Sequence, residues 1–204
     1  MAKTNVYKNP RGWIEVICGP MFAGKSEELW RKLNRLKYAD IDYVLFKPQT
    51  DTRTKDEVVS RDGHRVKAIT VKTSYDIINY IKKNKKNCHV VAIDEAQFFD
   101  NNLPDVCQYL ADHKYNVYVV GLDTDFRGEP FAPMLKVMAF AEKIIKLNAI
   151  CSVCGAPATR TQRIINNKPA NYQDDIIQVG DNESYEARCR AHHIVIDKPK
   201  INSK

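Results

Sequence analysis

The chain has 204 residues, of which 44% are apolar, and a formal net charge of +7. This length predicts one main domain with a small second unit. No apolar run approaches the roughly 20 residues of a membrane span, and the first residues lack the apolar core of a signal peptide. We therefore expect a cytoplasmic protein without a membrane partner. The positive charge indicates either nucleic-acid binding or a lysine-rich surface, and we favour the second because the lysines lack interleaved aromatic residues.

Apolar runs and helical spacings alternate along residues 13–148, after a polar leader at 1–12 that we expect to be flexible. Strands are predicted over 13–18, 43–47, 66–71, 89–93, 117–120 and 144–147. Helices are predicted over 27–39, 74–84 (with Ser74 as its cap), 103–113 and 133–141. Buried strands that alternate with helices predict an α/β fold with a mostly parallel sheet.

A glycine-rich loop lies between the first predicted strand and the first predicted helix. It matches the pattern G-x-x-x-x-G-K-[ST], whose backbone N–H groups surround phosphate oxygens. The lysine of this pattern reaches the β- and γ-phosphates, and the hydroxyl of the serine or threonine that follows it ligates Mg²⁺. The loop therefore predicts binding of a nucleoside triphosphate such as ATP, through Gly19, Pro20, Met21, Phe22, Ala23, Gly24, Lys25 and Ser26.

Two acidic residues, Asp94 and Glu95, directly follow the predicted strand at 89–93. Ligands of open α/β sheets bind at the carboxyl ends of the strands. An aspartate at this place in a phosphate-loop protein commonly helps to hold Mg²⁺, and the adjacent glutamate can act as general base. The alternative is a pair of carboxylates that merely ends a strand.

The composition changes at about residue 149, and residues 149–197 show little helical pattern. This change predicts a small second domain at 149–197, followed by a disordered tail at 198–204. Two knuckle-like pairs within it, Cys151 with Cys154 and Cys189 with His192, predict a closed zinc site with a structural role. His193 competes as the fourth ligand, but His192 fits the Cys-x-x-ligand spacing. A catalytic deaminase zinc is not indicated, because no histidine is followed two residues later by glutamate.

Taken together, these motifs resemble those of the cytosolic-type (type II) thymidine kinases. The resemblance runs from about residue 14 to residue 192. It is carried by the phosphate loop, by the runs Asp94-Glu95-Ala96-Gln97-Phe98-Phe99 and Gly121-Leu122-Asp123-Thr124-Asp125-Phe126-Arg127, by Pro130-Phe131, and by the Cys-x-x-Cys pair.

The resemblance implies transfer of the γ-phosphoryl group of ATP to the 5′-hydroxyl of thymidine or deoxyuridine, with Mg²⁺. It further implies a RecA-like domain, a zinc-bearing domain whose lasso loop closes over the nucleoside, a homotetramer, and inhibition by thymidine triphosphate. The chain departs from many relatives in having Ala23 where they have serine, and His192 where they have cysteine.

Residue roles follow from the same resemblance. Glu95 matches the general base, and Arg53 matches an arginine near the reacting phosphate. The residues of this chain that match the family's nucleoside site are Met21, Phe98, Leu122, Phe126, Phe131, Thr161, Arg163, Gln178, Val179 and Tyr185. Aromatic and apolar side chains at strand ends suit a flat nucleobase, although each residue alone is also compatible with core packing.

Two other functions are compatible with the phosphate loop and the metal knuckles. One is a nucleic-acid-dependent ATPase. The segment from Cys151 to His192 argues against this function, because it is not markedly basic and contains Asp174, Asp175 and Glu186. The other is a nucleotide-binding regulator without catalysis. We favour the kinase, because the apolar and aromatic residues of the motif loops suit a site that excludes water.

Overall fold

The computed structural model describes residues 12–50, 57–59, 65–84, 88–176 and 183–199, to which every structural statement below refers. The helices are α1 Lys25–Tyr38, α2 Ser74–Asn84, α3 Leu103–Asp112 and α4 Ala132–Phe140, with a short 3₁₀ helix at Ala96–Phe98. The strands are β1 Trp13–Cys18, β2 Tyr43–Pro48, β3 Glu57–Val59, β4 Arg65–Lys67, β5 Ile69–Val71, β6 Val90–Ile93, β7 Asn116–Gly121, β8 Lys143–Lys146, β9 Ala149–Ile150, β10 Pro157–Ala158, β11 Arg160–Ile165, β12 Lys168–Pro169 and β13 Glu183–Arg188.

A six-stranded sheet forms the centre, in the order β5-β2-β6-β7-β1-β8. All of its strand pairs are parallel, which confirms the predicted α/β class. The strand ends are in register, since Cys18 pairs with Gly121 and Ile93 with Val119. The segments that follow β1, β6 and β7 therefore lie together at one edge of the sheet.

Helices cover both faces of this sheet, which explains why its strands read as continuous apolar runs. On one face, Val16 and Cys18 of β1 pack with residues of α2, α3 and α4. On the other face, Ile17 of β1 packs with Leu29 and Leu33 of α1. These two cores fix the position of β1 and α1, and so of the loop between them.

Two local expectations differ from the structure. The predicted strand at 66–71 is two strands: β4 pairs with β3 in an antiparallel hairpin, whereas β5 joins the central sheet. The apolar pattern is continuous across this change of partner, so it could not show the break at Ala68. Ser74 is the first residue of α2 rather than a confirmed cap, and its N–H donates to the Asp100 carboxylate at 2.8 Å.

The chain after β8 forms smaller sheets. β9 pairs with β10, and β11 lies between β12 and β13. Their small core contains Ala149, Cys151, Ala158 and Ala187, against which Ala23 of the phosphate loop packs. The division into units at 13–148 and 149–197 stays a prediction. Among the helices described, none combines the length and the apolar character that crossing a membrane would require.

Candidate active site

The phosphate-binding loop connects the end of β1 to the start of α1, as the pattern predicts. The Leu147 N–H donates to the Cys18 carbonyl at 2.8 Å and so brings the chain after β8 against this loop. Gly19 has a φ of +144°, and a Cβ there would lie 2.4 Å from the Leu147 carbonyl oxygen. A glycine is needed because the two backbones approach so closely.

Lys25 lies inside the loop, and its Nζ donates to the Pro20 carbonyl at 2.7 Å. Burial lowers the pKa of Lys25, while the negative charges of Glu95, Asp94 and Asp123 act in the opposite direction. Because the ends of β1, β7 and β6 are in register, the loop that carries Lys25 and the predicted acidic pair lie at the same edge of the sheet. Ser26 is the second residue of α1 and is half-buried.

Glu95 has a left-handed backbone, with a φ of +50°, immediately before the 3₁₀ helix. Its N–H donates to Asp94 Oδ1 at 2.9 Å, and its carbonyl accepts from the Phe98 N–H at 3.0 Å. Such a backbone costs about 1–3 kcal/mol for a residue other than glycine. These bonds hold the conformation, which turns the chain sharply after β6.

Gln97 is a site residue that sequence reasoning missed. Its side chain is buried, donates to Glu95 Oε2 at 2.5 Å, and accepts from the Leu122 N–H at 2.9 Å. A glutamine between apolar residues gives no periodic signal. Only its place two residues after Glu95, within a motif already linked to the site, could have drawn attention to it.

Three of the predicted nucleoside-site residues lie close to Glu95 and Gln97. Phe98 and Phe131 form an edge-to-face pair with ring centroids 6.4 Å apart, and Leu122 is joined to Gln97 by the bond above. All three side chains are half-buried. The structure thus places partly accessible apolar residues on the two chain segments that Gln97 joins, one of which carries Glu95.

The remaining described nucleoside-site residues form a second group, around β11. Arg163 is fully buried with its guanidinium 5.2 Å from the ring centre of Phe126, and it pairs across the sheet with Tyr185. Thr161 Oγ1 accepts from the Met21 N–H at 3.0 Å. Phe126, Thr161 and Arg163 are at most 4% exposed, so these side chains pack behind the surface.

Three predicted residues, Arg53, Gln178 and Val179, lie outside the described residues. A further buried carboxylate, Asp123, was not assigned a role from the sequence. It follows Leu122 at the end of β7, and Lys146 lies 2.7 Å from its Oδ2. Because Cys18 pairs with Gly121 at the ends of β1 and β7, Asp123 lies at the same edge of the sheet as the phosphate loop.

The four predicted metal ligands, Cys151, Cys154, Cys189 and His192, come together, with their ligand atoms within 4.8 Å of one another. The distances between neighbours are 3.9 Å from Cys154 to Cys189 Sγ, and 3.8 and 3.3 Å from His192 Nδ1 to Cys151 and Cys189 Sγ. Tetrahedral zinc with bonds of about 2.0–2.3 Å gives ligand separations of about 3.5–3.8 Å. The group therefore fits zinc.

The pKa values of two thiols in this group shift in opposite directions. A backbone hydrogen bond from Ala156 acts to lower the pKa of Cys154, but the side chains of Cys151 and Cys189 raise it. Burial acts to raise the pKa of the Cys151 thiol, but backbone N–H groups, led by that of Cys189, hold this pKa below its usual value. His193, the competing ligand, points elsewhere: its Nε2 lies 2.8 Å from the Phe126 carbonyl oxygen. The residue next to the metal group thereby contacts the loop that follows β7.

Comparison with known proteins identifies the family. The thymidine kinase family model matches residues 12–193. The thymidine kinase of Mycoplasmoides gallisepticum is 52% identical over 200 residues, 98% of this chain and 88% of that protein. The thymidine kinase of Ureaplasma parvum serovar 3 is 47% identical over 205 residues, 100% of this chain and 92% of that protein.

Among solved structures, the Legionella pneumophila ATPase DotB aligns with a TM-score of 0.44 at 12% identity, over 74% of this chain and 44% of that chain. This TM-score and this identity are too low to support any conclusion about the function of the chain. The family model and the relatives instead span nearly all of this sequence, and they match the predicted resemblance. The chain belongs to the thymidine kinase family and is a nucleoside kinase.

Proposed function

We propose that this protein transfers the γ-phosphoryl group of ATP to the 5′-hydroxyl of thymidine or deoxyuridine. The observation that carries the proposal is the register of β1, β6 and β7, which brings the loop with Lys25 and the turn with Glu95 to one edge of the sheet. Half-buried apolar residues follow in the same segments. A kinase needs this combination, because it must bind phosphates, accept a proton from a hydroxyl, and keep water away from the reacting group.

In the proposed reaction, the backbone of residues 19–26 and the Lys25 amine bind the phosphates. Glu95 accepts the proton of the 5′-hydroxyl while that oxygen attacks the γ-phosphorus in line, and ADP leaves. The Ser26 hydroxyl and an Asp94 oxygen would hold Mg²⁺, for which hard oxygen ligands are suited. When bound, Mg²⁺ neutralises phosphate charge. We assign Arg53 to the reacting phosphate on the family resemblance alone.

The acceptor site in this proposal has two layers. Met21, Phe98, Leu122, Phe131 and Tyr185, which are half-buried, contact the nucleoside. The buried residues Phe126, Thr161 and Arg163 support them from behind. Backbone groups at Gln178 and Val179 bind the base, as the resemblance implies. An apolar, partly aromatic wall suits a pyrimidine ring.

Residues 149–197 act, in this proposal, as a zinc-bearing unit whose lasso covers the nucleoside. A structural zinc ion held by three cysteines and His192 leaves no coordination position for substrate. It would therefore act on the reaction only by keeping this unit folded.

We further propose a homotetramer in the cytoplasm that serves nucleotide salvage and is inhibited by thymidine triphosphate. The family resemblance is the basis. For assembly, additional support comes from Leu135 and Phe140 of α4 and from Ile144 of β8, which are large apolar side chains at least 44% exposed. Light scattering coupled to gel filtration measures the oligomeric state.

A phosphorylation assay tests the main proposal. Purified protein with ATP and Mg²⁺ is offered thymidine, deoxyuridine, deoxycytidine and deoxyadenosine, with single-stranded DNA as a separate addition. We expect monophosphate from thymidine and deoxyuridine and no stimulation of ATP hydrolysis by DNA. ATP hydrolysis that depends on DNA, with no nucleoside phosphorylated, would contradict the proposal.

A further inference from the structure

We propose that Gln97 is a positioning residue that orients the Glu95 carboxylate and joins it to the loop that carries the acceptor walls. The inference depends on the proposed role of Glu95 as general base, and it goes further by assigning a function to a side chain that need not touch either substrate. It rests on two hydrogen bonds and on the space provided for the amide.

The side-chain amide of Gln97 bridges two groups of different chemistry. Its Nε2 donates to Glu95 Oε2 at 2.5 Å, and its Oε1 accepts from the backbone N–H of Leu122 at 2.9 Å. A backbone N–H can only donate, so the amide oxygen has to face Leu122 and the NH₂ group has to face Glu95. The chemistry of the two partners therefore fixes the orientation of the amide.

The end of β7 provides the space for this amide. A Cβ on Gly121 would lie 2.6 Å from Gln97 Oε1, so any larger residue there would displace the bridge. Because β6 and β7 are adjacent in the sheet, the amide connects the turn after β6, where Glu95 lies, to the first residue after β7. The 4% exposure of Gln97 keeps water from competing for either bond.

Satisfying the Leu122 N–H would require only an acceptor at this position. The second bond, to a carboxylate, is charge-assisted and therefore stronger than a neutral one. It restricts the side chain of a residue whose backbone is already fixed by Asp94. A displacement of a reacting group by about 1 Å can lower a rate by about 100-fold. Loss of the bridge should therefore lower kcat more than it affects binding of ATP.

Two substitutions separate the two halves of the bridge. Gln97→Met removes both bonds at similar volume, whereas Gln97→Glu keeps an oxygen for Leu122 and replaces the donor by a second carboxylate. We expect kcat for thymidine to fall about 10- to 100-fold in both variants. The KM for ATP should stay within about twofold of the parent value, because the phosphate loop is untouched. The control for loss of a buried amide is Gln162→Met, since Gln162 is also buried and bonds to the backbone of Ile194 and Arg163 rather than to Glu95.

The deciding measurement is a double-mutant cycle with Glu95→Gln, with residual turnover followed by radiolabelled ATP. If Gln97 acts through Glu95, Gln97→Met should change the rate by less than about threefold in the Glu95→Gln background. An equal loss in both backgrounds, or a normal kcat in Gln97→Met and Gln97→Glu, would overturn the inference. Near-normal turnover in Glu95→Gln alone would instead show that the proposed base is wrong.

Discussion

At the scale of single residues, Glu95 shows how position and conformation are decided separately. Its place directly after the predicted strand at 89–93, in a chain with a phosphate loop, marked it as a candidate base. Its left-handed backbone and its bond to Gln97 could not be inferred, because the Leu122 N–H that fixes Gln97 belongs to a segment 25 residues later. The strain at Glu95 is compatible with a residue held for function rather than for stability.

The first prediction concerns Glu95 itself. Glu95→Gln removes the proton acceptor and keeps the side-chain size, so we expect kcat to fall about 10²- to 10⁴-fold. Binding of ATP and thymidine should be nearly unchanged. Steady-state kinetics and calorimetric titration of each substrate measure the two effects. Turnover close to that of the parent protein would remove Glu95 from the proposed role.

The second prediction distinguishes the two adjacent histidines. His192 lies in the metal group, whereas His193 contacts the Phe126 carbonyl. We expect His192→Ala to lose zinc, and His193→Ala to retain one zinc ion per chain but to raise the KM for thymidine several-fold. Elemental analysis of the purified variants and nucleoside kinetics test this. Loss of zinc from His193→Ala alone would reverse the assignment.

At the scale of elements, the strand–loop–helix unit of β1, residues 19–26 and α1 was predictable because its signals are local. Apolar residues mark the strand, glycines mark the loop, and amphipathic spacing marks the helix. The support of the loop by the chain after β8 was not predictable. Leu147 is distant in sequence, and only the parallel pairing of β8 with β1 brings it to Gly19.

A third prediction follows from that contact. Gly19→Ala would place a Cβ 2.4 Å from the Leu147 carbonyl oxygen, so we expect a loss of more than about 1 kcal/mol in the free energy of unfolding and a weaker affinity for ATP. Denaturant titration and nucleotide binding measure both. Gly128→Ala is the matched control, since Gly128 also has a positive φ but its Cβ would meet nothing closer than 3.7 Å. Equal effects at the two sites would show that the close approach is unimportant.

At the scale of the whole molecule, the small sheets after β8, which lie next to the metal ligands, contact the phosphate loop directly. Ala23 packs on the small core that includes Cys151, and the Met21 N–H donates to Thr161. This core holds few apolar side chains, and a bound metal commonly replaces such missing hydrophobic stabilisation. The central sheet, by contrast, has a substantial apolar core on each face.

Metal removal is the fourth prediction. We expect chelation under mildly denaturing conditions to abolish kinase activity while the central sheet stays folded, because only the region around Cys151, Cys154, Cys189 and His192 depends on the metal. Zinc content, far-ultraviolet circular dichroism and turnover should be measured on the same sample, with activity recovered on adding Zn²⁺. Full activity after complete metal loss would contradict the supporting role.

The sequence by itself determined the family, the parallel α/β class, the phosphate loop and the set of residues that could bind a metal. These depend on local patterns: apolar runs, glycine spacing, and cysteine and histidine spacing. Only the tertiary structure decided that 66–71 splits between two sheets, that His193 turns away from the metal group, and that Gln97 bridges Glu95 and Leu122. Each of these depends on a contact with another element: β3 and β2 for 66–71, the Phe126 carbonyl for His193 and the Leu122 N–H for Gln97. No local pattern encodes those contacts.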